Sequence, residues 1–135
     1  MIGLDTNVLV RYMAQDDPQQ SAVATRLIEK ELSTAEPGFI SLVVLAELCW
    51  VLSRLYSAST DELIAAVEDL LNTPQFHLDR RDVVIATVQH MKGRKGVKAG
   101  LVDALIAQLA ASEGCSRTVS FDKVAVRATG MVLLA

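Results

Sequence analysis

Four acidic side chains stand alone in apolar or small-residue surroundings. Asp5 lies in Gly3-Leu4-Asp5-Thr6-Asn7-Val8-Leu9, Asp103 in Gly100-Leu101-Val102-Asp103-Ala104-Leu105-Ile106, and Asp122 between Phe121 and Lys123. Glu47 is the sharpest case, because it is the only charged residue between Ser41 and Ser53. A buried carboxylate without a partner is costly, so Glu47 is expected either to be protonated or to meet a cation. An ion pair with Arg54 or Arg11 is the competing explanation. Each of the other acids also has an ordinary alternative: Asp5 as a turn residue closing a strand, Asp103 as a helix N-cap, Asp122 as a turn acid. Their joint occurrence favours a cluster. Carboxylates with the hydroxyls and amide of Thr6, Asn7 and Ser120 form a hard oxygen donor set suited to Mg²⁺ or Mn²⁺. Such an ion lowers the pKa of a bound water and offsets charge growing on the oxygens of a phosphodiester, which is the chemistry of a nuclease.

Other chemistries are poorly supplied. The two histidines, His77 and His90, have no partner at ligand spacing, so zinc is disfavoured and surface or capping roles are expected for both. Neither GxxxxGK[ST] nor GxGxxG occurs, which argues against nucleotide cofactors. Cys49 and Cys115 form no CxxC and read as structural thiols. The net charge of −3 and pI near 5.3 give no global signature of nucleic-acid binding. Any such binding must be local, and the one basic cluster holds Lys92, Arg94, Lys95 and Lys98 within seven residues. A solvated loop is its alternative role.

The elements that must position these residues follow from local signals. Met1 to Leu4 reads as a short buried strand, with Thr6 or Asn7 capping the helix after it. Asp17 and Pro18 suit the N-cap and first turn of a second helix carrying Ala24, Leu27, Ile28 and Leu32 on its apolar stripe. Glu36-Pro37-Gly38 marks a turn before a strand at Phe39-Ile40, and Ser41 opens the next helix. From Leu42 to Tyr56 the pattern is apolar almost all round, which predicts a buried central helix with Trp50 in the core. A helix capped by Thr60, a strand at Phe76-His77-Leu78 and a helix from Arg80 to Met91 come next. Leu101 to Ala111 is a further apolar helix, stopped by Glu113-Gly114. The C-terminal part is expected to hold two strands, near Thr118-Val119-Ser120 and from Met131 to Leu134.

Short strands alternating with helices predict an α/β protein, a three-layer α/β/α sandwich with a central, mainly parallel sheet. A length of 135 residues suits a single domain spanning 1–135. In such sheets ligand sites form outside the carboxyl ends of strands, where Asp5 and Asp122 would lie. The hydrophobic fraction of 51% and mean hydropathy of +0.33 leave apolar surface over once a core is filled, favouring an oligomer or a bound partner, with Tyr12, Trp50 and Tyr56 as candidate contacts. No membrane-length apolar run or signal-peptide pattern is expected, so the protein reads as soluble and cytoplasmic.

These residues resemble the PIN domain, and within it the VapC-type toxins of bacterial toxin–antitoxin pairs. The resemblance rests on Leu4-Asp5-Thr6-Asn7-Val8-Leu9-Val10-Arg11-Tyr12 with Asp16-Asp17-Pro18, and on Ile40-Ser41-Leu42-Val43-Val44-Leu45-Ala46-Glu47-Leu48-Cys49-Trp50-Val51-Leu52. Val102-Asp103-Ala104-Leu105-Ile106-Ala107 and Ser120-Phe121-Asp122-Lys123 complete it. It implies that Asp5, Glu47 and Asp103 are metal ligands, that Asp122 completes the acidic cluster, and that Thr6, Asn7 and Ser120 orient water or the carboxylates. It further implies a metal-dependent endoribonuclease acting on tRNA or other structured RNA, a homodimer, and inhibition by a cognate antitoxin protein. Two departures stand out. Gly100 takes the place where many relatives carry a further aspartate, which puts a second tightly held metal in doubt, and Ser120 replaces a common threonine while keeping its hydroxyl.

The leading expectation is therefore a Mg²⁺- or Mn²⁺-dependent endoribonuclease, with Lys92, Arg94, Lys95 and Lys98 guiding RNA phosphates. A non-catalytic PIN-like module that binds protein or RNA without cutting is the alternative. A phosphatase or response-receiver domain fits less well, because those need paired acids near the first strand, whereas Asp5 is followed by Thr6 and Asn7.

Overall fold

Local chemistry explains where most elements begin and end in the computed structural model, which describes residues 1–92 and 100–135. Strand β1 (Ile2–Gly3) leads into helix α1 (Thr6–Ala14), and Asp5, in extended conformation, occupies the N-cap position. The expected caps Thr6 and Asn7 are instead the first two helical residues. Asp17 caps α2 (Pro18–Arg26) by accepting from the Gln20 amide at 3.0 Å, and Pro18 sits at N1, where its missing N–H costs nothing. The chain continues as a π-helical turn over Leu27–Glu31. Ala24, Ile28 and Leu32 of the expected stripe are buried.

Strand β2 (Gly38–Ile40) ends at Ser41, whose Oγ accepts the Val44 amide at 3.1 Å and caps α3 (Leu42–Leu55). Helix α4 (Thr60–Leu71) starts at Thr60, the residue expected to cap it, and the cap lies one residue earlier at Ser59. Ser59 Oγ accepts the Glu62 amide at 3.1 Å and Glu62 Oε1 accepts the Ser59 amide at 3.0 Å, a reciprocal capping box. Strand β3 (Phe76–Leu78), α5 (Arg81–Lys92) and α6 (Leu101–Ser112) follow as expected. Glu113 closes α6, and Gly114 adopts the left-handed conformation at φ 94°. Strand β4 (Val119–Ser120) and strand β5 (Val132–Leu133) flank a helix that the sequence pattern did not reveal, α7 (Lys123–Thr129). Gly130 ends it at φ 77°.

Every strand pair among the described residues is parallel, as expected for strands joined through helices. The chain divides into two compact units, residues 1–58 with 69–79 and residues 59–68 with 80–135. In the first, the strand order is β1-β2-β3, with Ile2 opposite Gly38 and Ile40 opposite Leu78. Helix α1 packs on α2 and on α3. Gly38 has no room for a side chain, since a Cβ there would lie 2.7 Å from Leu4 Cδ1 and 2.8 Å from Leu32 Cδ1. In the second unit, β4 pairs with β5, and α6 packs on α5 and α7. Val84, Val88 and Met91 of α5 are buried on the face expected of them, together with Val83 and Thr87.

Two burial expectations are corrected. Strand β1 is exposed, Ile2 at 48%, and only Leu4 beyond it is buried. Helix α3 is not buried all round. Leu45, Leu48 and Cys49 are enclosed, whereas Val43 is 79% and Trp50 56% exposed. A helix has one face toward its neighbours, and apolar residues on the other face do not turn inward for being apolar. Of the two thiols, Cys49 is buried and Cys115 is exposed, so only Cys49 has the packing expected of a structural cysteine. Among the described residues, no helix is long and apolar enough to cross a membrane.

Candidate functional site

The acids of the first unit are Asp5 and Glu47. Asp5 follows the carboxyl end of β1 and stands at the start of α1, yet its carboxylate makes no capping hydrogen bond and faces solvent. Beside it, Thr6 is 2% exposed and its Oγ1 has no hydrogen-bond partner, while Asn7 is exposed. A buried hydroxyl left unpaired carries a desolvation cost, and donation to a carboxylate-bound water would remove it. Glu47 is exposed on α3, so it does not suffer the burial expected of it. The reason is its azimuth. Leu45, Leu48 and Cys49 define the enclosed face of α3, and Glu47 lies on the opposite side with Val43 and Trp50.

The competing ion pairs for Glu47 are not formed. Arg11 donates to Asp16 at 2.9 Å and to Gln20 at 3.0 Å, and its pKa is raised chiefly by the Asp16 hydrogen bond. Arg54 instead lies over the Trp50 ring, 5.6 Å from its centroid. Tyr56 donates to Asp16 at 2.6 Å, so the Arg11–Asp16–Tyr56 group joins α1 to the end of α3. That link is invisible in the sequence, because its members are up to 45 residues apart. A cleft of about 520 Å³ opens in this unit beside Asn7, Val8, Arg11 and Val23.

Asp103 and Asp122 belong to the second unit. Asp103 lies in the first turn of α6, where Gly100 holds the N-cap position, so it is not the cap that was its ordinary alternative. It is half-buried, and burial followed by the negative charge of Asp122 raises its pKa. The two carboxylates therefore share one electrostatic environment. A Cβ on Gly100 would lie 3.5 Å from Asp103 Oδ2, so an acid at that position would begin its side chain beside this carboxylate. Asp122 is a helix cap as well as a turn acid. Its Oδ1 accepts the amides of Val124 at 2.9 Å and Ala125 at 3.2 Å. Ser120 Oγ accepts the Asp122 amide at 3.0 Å and fixes the turn after β4.

Among the described residues, neither unit by itself gathers three or more His, Cys, Asp or Glu side chains that could hold a metal ion. Two of the candidate acids lie in each unit. Of the basic cluster, Lys92 donates to Glu68 at 2.6 Å, while Arg94, Lys95 and Lys98 lie outside the described residues. His90 caps a helix end as expected, with Nε2 bonded to the Ala128 carbonyl of α7 at 3.1 Å, and His77 is exposed. Sequence reasoning missed the exposure of Trp50. The charged residues Glu47 and Arg54, three residues before and four after Trp50 and so on its face of the helix, were the available signal.

Residues 2–130 match the family model of the PIN domain. No curated protein matches the chain. The helices and parallel strands fit the three-layer α/β/α fold of that family, a nuclease-type fold whose members are generally metal-dependent hydrolases.

Proposed function

The chain belongs to the PIN domain family, and on that premise we propose that it is a single-domain, Mg²⁺- or Mn²⁺-dependent endoribonuclease, the toxin of a toxin–antitoxin pair. The family match over nearly the whole chain carries this proposal. The donor set supports it: Asp5, Glu47, Asp103 and Asp122 are the proposed ligands, all of them oxygen donors suited to a hard divalent ion. Burial and the charge of Asp122 both disfavour ionised Asp103, a penalty that a divalent cation relieves. Asp122 has one oxygen committed to two helix amides, which holds its carboxylate in place. Ser120 steadies the same turn, and the orphaned Thr6 hydroxyl is available to orient a water near Asp5.

When bound, the ion supplies an activated water and neutralises charge developing on the scissile phosphate. The chain's own residues then hold the carboxylates and the RNA. Lys92, Arg94, Lys95 and Lys98 are the proposed phosphate contacts, tRNA or other structured RNA the substrate, and the cytoplasm the site of action. A homodimer controlled by an antitoxin completes the proposal, and the exposed apolar side chains Val23 and Leu55 give such partners surface to cover.

Brief expression of the wild type and of Asp5→Asn, followed by sequencing of new RNA 5′ ends, tests the activity. Growth arrest with a defined set of cleavage ends in the wild type alone is expected. Equal cleavage by Asp5→Asn would remove the assigned role, and no cleavage by either would leave a module that binds without cutting.

A further inference from the structure

Helix α3 carries a stripe of solvent-facing side chains at Val43, Glu47, Trp50 and Arg54, spaced i, i+4, i+7 and i+11. At 100° per residue these four lie within about 60° of azimuth. Trp50, the only tryptophan of the chain, exposes 56% of its surface here. The Arg54 guanidinium lies 5.6 Å from the ring centroid and has no carboxylate partner among the described residues. An aromatic plane with an uncompensated cation beside it complements a nucleotide, which presents a π-face and a phosphate. Glu47 is less than one turn away, about 4.5 Å along the helix axis.

We propose that Trp50 is a stacking platform for one unpaired nucleobase of the RNA, with Arg54 contacting the adjoining phosphate, so that cleavage falls beside an unstacked nucleotide. This rests on the ribonuclease assignment of Glu47 and its fellow acids. The substrate segment is accordingly a single-stranded loop, bulge or end of a structured RNA. Bases there can splay onto an aromatic side chain, whereas in a duplex they are stacked on one another. Binding tolerates sequence, because every base has a π-face.

The single tryptophan makes the contact directly observable. Wild-type protein in EDTA, which prevents cleavage, is titrated with a single-stranded oligoribonucleotide, with the same strand in a duplex, and with the strand lacking its bases. Saturable quenching of Trp50 fluorescence by the first alone is expected. Trp50→Ala, followed by anisotropy of labelled RNA, should lose about 5- to 150-fold in affinity, equivalent to about 1–3 kcal/mol. Trp50→Phe should retain most of the binding. Arg54→Gln should weaken binding and flatten its salt dependence. In Mg²⁺, Trp50→Ala should raise KM with kcat little changed.

Absence of quenching, or equal quenching by duplex, overturns the proposal. So does a Trp50 emission that shifts with protein concentration and a Trp50→Ala protein that changes oligomeric state, since the stripe is then covered by a second copy. Cleavage with an unaltered KM in Trp50→Ala removes the platform and leaves the nuclease standing. Quenching without any Mg²⁺-dependent cleavage supports the platform and removes the nuclease.

Discussion

Asp122 has a capping role and a proposed ligand role, and two substitutions separate them. Its Oδ1 accepts from the amides of Val124 and Ala125, at 2.9 and 3.2 Å. Removing a capping side chain costs about 0.5–2 kcal/mol. Ala125 is only 2% exposed, so its amide is poorly placed to take a water instead, which puts Asp122→Ala in the upper half of that range. For a chain of this size, 1 kcal/mol at the midpoint moves Tm by about 3–5 °C, so a loss of about 3–10 °C is expected. Asparagine caps nearly as well as aspartate, so Asp122→Asn should keep most of the Tm in EDTA. It should nevertheless lose most of the added stability that Mn²⁺ confers on the wild type, because its carboxylate charge is gone. Differential scanning calorimetry in EDTA and in Mn²⁺ reads both effects. Equal Tm values for Asp122→Ala and wild type in EDTA would refute the capping role. A full Mn²⁺ response in Asp122→Asn would refute the ligand role.

Other consequences follow from packing and from the perturbed groups. Gly38→Ala should destabilise by about 1–3 kcal/mol, read in urea unfolding, because the new methyl meets Leu4 and Leu32, both buried and unable to swing into solvent. In an ultraviolet titration, both tyrosines should ionise above the ordinary range, Tyr12 through burial and Glu29, Tyr56 through its hydrogen bond to Asp16. Asp16→Asn should bring Tyr56 alone back down. The raised value of Tyr56 favours the fold below the unfolded-state pKa and ceases to do so as pH rises through the folded one. The lowered value of Asp16 acts in the opposite sense, its contribution being lost as pH falls through the folded-state pKa. An alkylating reagent at neutral pH should modify Cys115 and spare Cys49 until the chain unfolds, since burial pushes the Cys49 thiol up to about 11. Two equivalents in the folded protein would contradict this.

Capping and turn chemistry was the most legible part of the chain. Asp17-Pro18, Ser41 and Glu113-Gly114 act through neighbours two to four residues away, so their effects can be read locally. The same logic should have located α7. Asp122 followed by a short helical run and Gly130 is a cap-to-cap pattern, but Ser120-Phe121-Asp122-Lys123 also reads as a turn, and seven residues give little periodicity to weigh. Burial was the least legible property. The abundance of apolar residues in α3 suggested enclosure on every side, whereas only the face carrying Leu45, Leu48 and Cys49 is enclosed. Glu47 was singled out for a burial it does not have, and Trp50 for a core position it does not occupy. The electrostatic pairing of Asp103 with Asp122 could not be read from residues nineteen positions apart, because it depends on how α6 packs on α7.

The central claim is that Asp5, Glu47, Asp103 and Asp122 bind one divalent ion. Titration of Mn²⁺ into the metal-free protein, followed by electron paramagnetic resonance of the free ion, counts bound metal directly. One tightly bound Mn²⁺ per chain is predicted for the wild type, lost in each of Asp5→Asn, Glu47→Gln, Asp103→Asn and Asp122→Asn. Undiminished binding in any one of these folded variants would contradict that residue's place, and no tight binding in the wild type would contradict the claim itself.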